Sequence, residues 1–268
     1  WKRAGIVDEV IAFGHNPATL QKALDKGAAD TVTTSMEEAV KDADIVVSAV
    51  PVEAMESVFT EMAPFLKSDA VVTDVGSTRQ TVIAAARKGL GDKFHQYAPA
   101  HPIAGGEMPG VDYASADLFD EKVVISTPDE GMDPKVVTFI EEAWRKAGAR
   151  VQAMSPLQHD LTFASVSHLP HVLAYALVDM IAREENAQEK LKMAGAGFRD
   201  FTRIASSSPV MWRDICLSNR EALSHELERY RASLDTLQKY IDESDGKALE
   251  SVFENAVRNR RGLVFPGK

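Results

Sequence analysis

From residue 10 to about residue 153, short apolar runs alternate with stretches whose apolar positions recur every three or four residues. The short runs fall at 10–13, 45–50, 70–73, 96–99, 123–126 and 150–153 and show little polar alternation. Strands of that kind are buried on both faces, which predicts a parallel sheet covered by helices. The intervening helices are predicted at 17–26, 35–41, 53–65, 78–88 and 134–147. Pro17 and Pro134 open two of them, where the first helical turn tolerates proline.

After residue 153 the strand signal ends, and long helices are predicted at 156–185, 187–196, 209–243 and 245–259. In the third, Leu223, Leu227, Tyr230, Leu234, Leu237 and Ile241 recur at spacings of three and four. Such a stripe is a buried seam. It reads as intramolecular core in preference to a dimer interface. The architecture expected is an α/β domain over residues 1–153 followed by an all-α domain over 154–268. A ligand cleft is expected between them, beyond the carboxyl ends of the strands.

Composition narrows the function. The 268 residues are 45% hydrophobic and 26% charged, as in an ordinary globular protein. A formal charge of −10 argues against nucleic acid or an anionic membrane as the main partner, while leaving room for a small anionic substrate in a local cationic pocket. No uninterrupted apolar run approaches the roughly 18 residues needed to span a bilayer. Cys216 is the only cysteine and cannot form an internal disulfide, which fits a reducing cytoplasm. Neither a CxxC pair nor an HExxH motif is present, so no metal site is expected.

Four segments carry chemistry. Ser48-Ala49-Val50-Pro51 and Thr73-Asp74-Val75-Gly76-Ser77 end two predicted strands in small residues, where a flat cofactor can lie against the backbone. Ser77 also suits a cap for a helix beginning at Thr78. The run from Ala98 to Gly110 leads a strand into a glycine-rich loop with one histidine, His101, and one glutamate, Glu107. An imidazole titrates near neutrality and suits a general base; a loop histidine satisfied by backbone is the alternative.

In Ser167-His168-Leu169-Pro170-His171 the two histidines share a helical face, and Pro170 is expected to bend the helix. The stretch Gly195 to Ala205, followed by Met211-Trp212-Arg213-Asp214, places Arg203 and Arg213 among glycines and aromatics. Guanidinium forks suit carboxylates, and Asp200 stands three residues before Arg203, where it can hold that side chain. Surface ion pairing is the alternative for these charges.

Taken in order along the chain, these segments resemble the prephenate/arogenate dehydrogenase family. The most specific stretches are His101-Pro102-Ile103-Ala104-Gly105-Gly106-Glu107 and Gly197-Phe198-Arg199-Asp200-Phe201-Thr202-Arg203-Ile204-Ala205. The resemblance implies a Rossmann-like dinucleotide-binding domain, a helical substrate and dimerisation domain, and oxidative decarboxylation of a cyclohexadienol. By the same resemblance His101 is the catalytic histidine and Ser77 orients it. Arg203 holds a substrate carboxylate, with Asp200 and Glu107 in the surrounding ionic network, His171 and Trp212 contact the substrate, and Arg213 is a further substrate-binding candidate. Gly14, His15, Asn16, Ala49, Val50, Pro51, Val75 and Gly76 are the expected cofactor contacts. A homodimer and inhibition by tyrosine are further implications.

Two departures from the family pattern stand out. The phosphate-binding strand and Gly-rich turn are not in the chain. Trp1 to Gly5 reads instead as the last turn of a helix capped by Gly5, so that strand and turn are expected ahead of residue 1. Where NAD-specific relatives carry an acidic residue, this chain has Gly14-His15-Asn16, which favours NADP or dual use over strict NAD. Two other readings compete. A β-hydroxyacid dehydrogenase would need a catalytic lysine after the domain boundary, for which Lys190 and Lys192 are the candidates. A non-catalytic nucleotide-sensing dimer module would bind cofactor without turnover.

Overall fold

In the computed structural model, residues 1–106 and 110–263 are described. The first unit is β1 (Ile11–Phe13), α1 (Pro17–Asp25) and β2 (Thr31–Thr33), with the two strands parallel. Helix α1 starts where it does because the Asn16 side chain accepts from the N–H groups of Ala18 and Thr19 and Pro17 presets the backbone. Ahead of it, Gly5 at φ +64° and the bonds Ile6 N–H to Trp1 O and Gly5 N–H to Lys2 O have the pattern of a glycine-terminated helix end. Helix α2 (Met36–Val40) follows, capped by Ser35.

The next strands are β3 (Ile45–Ser48), β4 (Val71–Asp74) and β5 (Tyr97–Ala98), all parallel. Helices α3 (Met55–Met62) and α4 (Gln80–Leu90) connect them. Then β6 (Ala100–Pro102) pairs antiparallel with β7 (Val123–Ser126), which is parallel to β8 (Arg150–Ala153) across α5 (Pro134–Lys146). Residues 97–102 therefore act as one extended segment that pairs with β4 on its first half and with β7 on its second. Pro99, which has no N–H to donate, stands at the change of partner. The sheet is mixed rather than wholly parallel, and β2 and β6, both three residues long, were not predicted. Thr-Val-Thr and Ala-His-Pro carry too little apolar signal to register, whereas the equally short Ile-Ala-Phe of β1 does.

The core lies between this sheet and its helices, around Met55, Phe59, Val72, Val82, Tyr97 and Ile140. Each such side chain contributes about 1.5–3 kcal/mol by leaving water. Ile11 and Val47, on β1 and β3, are exposed, and these two strands share no ladder.

Beyond β8 the described residues are helical. A continuous rod comprises α6 (Pro156–Phe163), a π turn (Ala164–His168) and α7 (Leu169–Ala182). The Leu169 N–H reaches back to Ala164 O, so the wider turn lies immediately before Pro170, which has no N–H of its own. This rod of 27 residues is long and apolar enough to cross a bilayer by length and composition, with mean hydropathy 1.4 over an 18-residue window. A search for uninterrupted apolar runs missed it because Asp160 and the histidines divide it. Those polar groups, His159, Asp160 and His168, are buried and engaged in protein contacts.

The remaining helices are α8 (Ala187–Lys192), α9 (Ala196–Thr202), α10 (Pro209–Ser218), α11 (Arg220–Asp242) and α12 (Gly246–Arg261). The single helix predicted over 209–243 is two helices broken at Asn219, and the glycine-rich stretch near Gly197 is itself helical. The leucine seam also differs from expectation. Leu223 is 4% exposed, but Leu234 and Ile241 are 47% and 58% exposed. The second half of the seam is not core within one chain: α12 contacts α11 there but leaves these side chains open.

Helix α4 packs on α3 at Gly89, where a Cβ would lie 2.6 Å from Phe59 Cβ and 2.9 Å from the Thr60 nitrogen. Alanine at a helix position gains about 1 kcal/mol over glycine. Overpacking against backbone costs about 1–3 kcal/mol and wins here. Gly89→Ala is expected to lower the urea midpoint with an unchanged m-value; a raised midpoint would mean that the two helices separate freely.

Candidate active site

The site begins where β4 ends. Asp74 is fully buried, and the chain then turns through Val75, Gly76, Ser77 and Thr78 into α4. Arg79, also fully buried, folds back over that turn. Its Nη2 and Nη1 donate to Asp74 at 2.7 and 3.1 Å, Nη2 to Gly76 O, Nε to Thr78 O and Nη1 to Ala100 O. Asp74 additionally accepts from Tyr97 Oη at 2.5 Å and from the Gly76 N–H at 2.7 Å. Gly76 is required by this close approach, since a Cβ would meet Arg79 Nη2 at 2.7 Å. Ser77, partly exposed, is presented by the locked turn. It does not cap α4: that helix begins at Gln80, and its cap comes from another part of the chain.

The cap is Asp160 of α6. Its Oδ1 accepts from the Arg79 N–H at 2.7 Å and its Oδ2 from the Gln80 N–H at 2.9 Å. Two further bonds cross the same junction, Thr78 Oγ1 with Ser218 Oγ and Thr81 Oγ1 to Ser218 O. Asp160 Oδ1 lies 2.9 Å from His159 Nδ1, and His159 Nε2 lies 2.7 Å from His101 Nδ1. Phe163 covers both rings, with centroids 4.4 Å from His159 and 5.0 Å from His101.

Burial holds His101 well below its ordinary value, and neighbouring His159, Arg79 and His168 push the same way. Burial also lowers His159, against the opposing hydrogen bond from Asp160. For Asp160, burial acts upward, but bonds from His159, Gln80 and Arg79 prevail and hold the carboxyl below its usual range. His101 is therefore a neutral imidazole at pH 7, capable of accepting a proton.

Along the rod, His168 is buried and its Nδ1 lies 3.1 Å from Asn219 Nδ2, which also donates to Asp160 O. His171 is bound through Nδ1 to Ser167 O at 2.9 Å and stacks on Trp212 with ring centroids 3.6 Å apart. Trp212 Nε1 is buried with no partner among the described residues.

Other predicted residues are placed as follows. Arg203 is exposed and opens the 3-10 turn Arg203–Ser206, which packs against α7, the helix of His171. Asp200 pairs with the adjacent Arg199 at 3.3 Å, both exposed. Arg213 lies on Asp214, a buried carboxylate, at 2.6 Å. Glu107 lies outside the described residues.

Gly14 and the exposed His15 follow β1, with His15 edge-on to Phe13, and the Asn16 side chain is taken up by the α1 cap. Ala49 and Pro51 are exposed and Val50 and Val75 partly so, which leaves an apolar rim at the carboxyl ends of β3 and β4. His159, Asp160, Arg79 and Asn219 were not singled out from the sequence. The only signal was the adjacency of His159 and Asp160 in the first turns of a predicted helix.

A mixed α/β domain with parallel strands ending at a small-residue rim, joined to a helical domain by a hydrogen-bonded histidine pair, is the architecture of a two-domain nicotinamide-dependent oxidoreductase. Comparison with known proteins refines this. Residues 1–153 match the model of the prephenate dehydrogenase nucleotide-binding domain and residues 155–255 that of the prephenate dehydrogenase dimerization domain. The chain is 38% identical over 236 residues to a cyclohexadienyl dehydrogenase of Zymomonas mobilis, covering 87% of this chain and 80% of the relative. It is 35% identical over 248 residues to a prephenate dehydrogenase of Bacillus subtilis, covering 92% and 67%. The solved prephenate dehydrogenase of Aquifex aeolicus, in complex with hydroxyphenyl propionate and NAD+, superposes with a TM-score of 0.89 at 35% identity, covering 97% of this chain and 91% of that one. The chain belongs to the prephenate dehydrogenase family.

Three neutral histidines, His159 and His168 fully buried and His101 partly so, have a consequence for stability. His168 is lowered to about 4, chiefly by burial. Its folded value lies below the unfolded one, so as pH falls below about 6.5 the unfolded chain takes up the proton first. Stability present above pH 6.5 is then lost, and His168 alone removes ~3 kcal/mol between pH 7 and pH 4. His101 and His159 shift in the same direction. Denaturant unfolding across this range is expected to show a steep decline, which His168→Asn lessens; a flat profile would contradict the neutral triad.

Proposed function

We propose that this chain oxidatively decarboxylates prephenate or arogenate with NAD or NADP, giving 4-hydroxyphenylpyruvate or tyrosine, and so serves tyrosine biosynthesis. The observation that carries the reading is His101: a neutral imidazole at the end of a strand, with Nδ1 engaged by His159 and Nε2 without a partner among the described residues. In this reading residues 1–153 hold the dinucleotide and residues 154–268 the substrate and the dimer contact.

His101 Nε2 accepts the hydrogen bond of the ring hydroxyl while C4 releases hydride. The carboxylate carbon departs as CO2, leaving its bonding pair in the ring, and the hydroxyl proton stays with the phenol that forms. Polarising the hydroxyl and fixing the ring are the contributions required, since aromatisation makes the overall change downhill. Ser77, held by the Asp74–Arg79 turn, orients the hydroxyl and the imidazole. Arg203 binds a substrate carboxylate, with Asp200, Glu107 and Arg213 in the surrounding ionic network. His171 and Trp212 form an aromatic wall.

The rim at Gly14, Ala49, Val50, Pro51, Val75 and Gly76 suits a flat cofactor. A bound nicotinamide supplies the hydride acceptor. Gly14-His15-Asn16 carries no carboxylate to repel a 2′-phosphate, and His15 is exposed beside it, which supports NADP or dual use. The exposed apolar residues of α11 and α12 support a homodimer, and the likeness of product to substrate supports inhibition by tyrosine. A cytoplasmic setting suits a biosynthetic step and a lone thiol. Lys190, the lysine a β-hydroxyacid dehydrogenase would use, pairs with Glu184 on the surface, which favours the decarboxylating reading.

An assay of both substrates with both cofactors tests this. His101→Asn is expected to lower kcat by about 10²–10⁴-fold with little change in KM. Arg203→Ala is expected mainly to raise KM, as loss of ground-state binding does. Equal loss of kcat at unchanged KM in both variants would contradict the roles, and no turnover of either substrate by the unaltered chain would contradict the function.

A further inference from the structure

We propose that Asp160 and His159 are positioning residues that fix His101 in the tautomer with its proton on Nδ1, so that Nε2 is the acceptor. The inference deepens the function proposed above and rests on His101 being the base.

The assignment follows by working inward from the carboxylate. Asp160 accepts the main-chain N–H groups of Arg79 and Gln80 and is ionised, so it offers lone pairs alone. His159 Nδ1, 2.9 Å from Asp160 Oδ1, must therefore carry a proton. His159 is fully buried and lies near the Arg79 charge, which disfavours a second proton. Its Nε2 is then a lone pair. The 2.7 Å contact with His101 Nδ1 needs one hydrogen, and only His101 can supply it. His101, neutral, is left with its lone pair on Nε2. The competing arrangement, with an imidazolium at 159 and the His101 proton on Nε2, puts a buried cation beside Arg79 and removes the acceptor that the reaction uses.

The orienting pair also comes from a different domain than the base. His101 sits on β6, whereas His159 and Asp160 open the helical rod, and the same carboxylate caps α4 across the junction. The correct tautomer thus exists only while the helical domain is seated on the N-terminus of α4.

The test is nitrogen NMR of the full-length protein labelled with ¹⁵N-histidine, with His101→Asn used to assign the resonance, together with kinetics of two variants. In the unaltered protein His101 is expected to show a protonated Nδ1 and an unprotonated Nε2. In His159→Leu the tautomers should mix, and kcat should fall by about 100-fold, the usual scale of base catalysis. His159→Gln places an amide oxygen near the lost Nε2 and should restore kcat to within about tenfold of the unaltered enzyme. A merely structural role would lower the melting temperature without moving the tautomer and without this rescue. A proton on Nε2 of His101 in the unaltered protein, or an unchanged tautomer in His159→Leu, would overturn the proposal. If the unaltered chain turns over neither substrate, the functional reading fails while the spectrum still decides the relay.

Discussion

The chain enters α4 at the domain junction through the buried Thr78 and Arg79, and the N–H groups that open the helix must be met by some part of the protein. Left unsatisfied, each buried donor would cost about 1–3 kcal/mol. Asp160 meets two of them from the other domain, with Ser218 adding two side-chain bonds nearby. Placing that carboxylate fixes the start of α6, and the start of α6 fixes His159 against His101. If His101 is the base proposed above, folding and chemistry draw on the same atoms. A displacement of the helical domain large enough to break the cap would also undo the order of the imidazole chain.

The Asp74–Arg79 pair has a similar double role. A buried ion pair adds little net stability, since apolar residues of similar volume often do as well. What it supplies is geometry. The segment 75–79 belongs to no ladder and no helix, and without partners its carbonyls would be free to wander. The guanidinium binds Gly76 O, Thr78 O and Ala100 O while paired to Asp74. It ties the end of β4 to β6 and holds Ser77 beside the strand of His101. Arg79 is thus a scaffold for the turn, and its charge also helps to keep His101 neutral.

Much of this architecture was legible in the sequence, for physical reasons that also mark where reading stopped. Strands such as β7 and β8 and helices such as α5 were located because burial imprints a period on residue type. The motif histidines and arginines stood out because glycine and proline flank them. His159 and Asp160 carried no such flag: their partners are 58 and about 80 positions away, and the relation is purely spatial. Asn219 was hidden because an asparagine in a long amphipathic pattern looks like a solvated position. Its side chain instead breaks the helix and binds His168 and Asp160. The seam of α11 was read as core because periodicity reports that a face is covered without saying by which chain.

That last ambiguity bears on the site itself. The rod of α6 and α7 turns His159, Asp160 and His168 inward, yet Leu157, Leu161, Val166 and Met180 on the same rod are 54%, 48%, 67% and 58% exposed. Together with the open half of the α11 seam they leave large apolar side chains exposed on the helical domain. In the homodimer proposed above, covering these faces would clamp the rod from outside while α4 and β6 hold it from within. The π turn Ala164–His168 lies at the middle of this rod, where a helix has its least regular hydrogen bonding and the most need of packing on both sides. Pressure on the outer face would then be transmitted to the inner histidines through one short irregular turn, and in the proposed dimer subunit contact would help to shape the cleft around them.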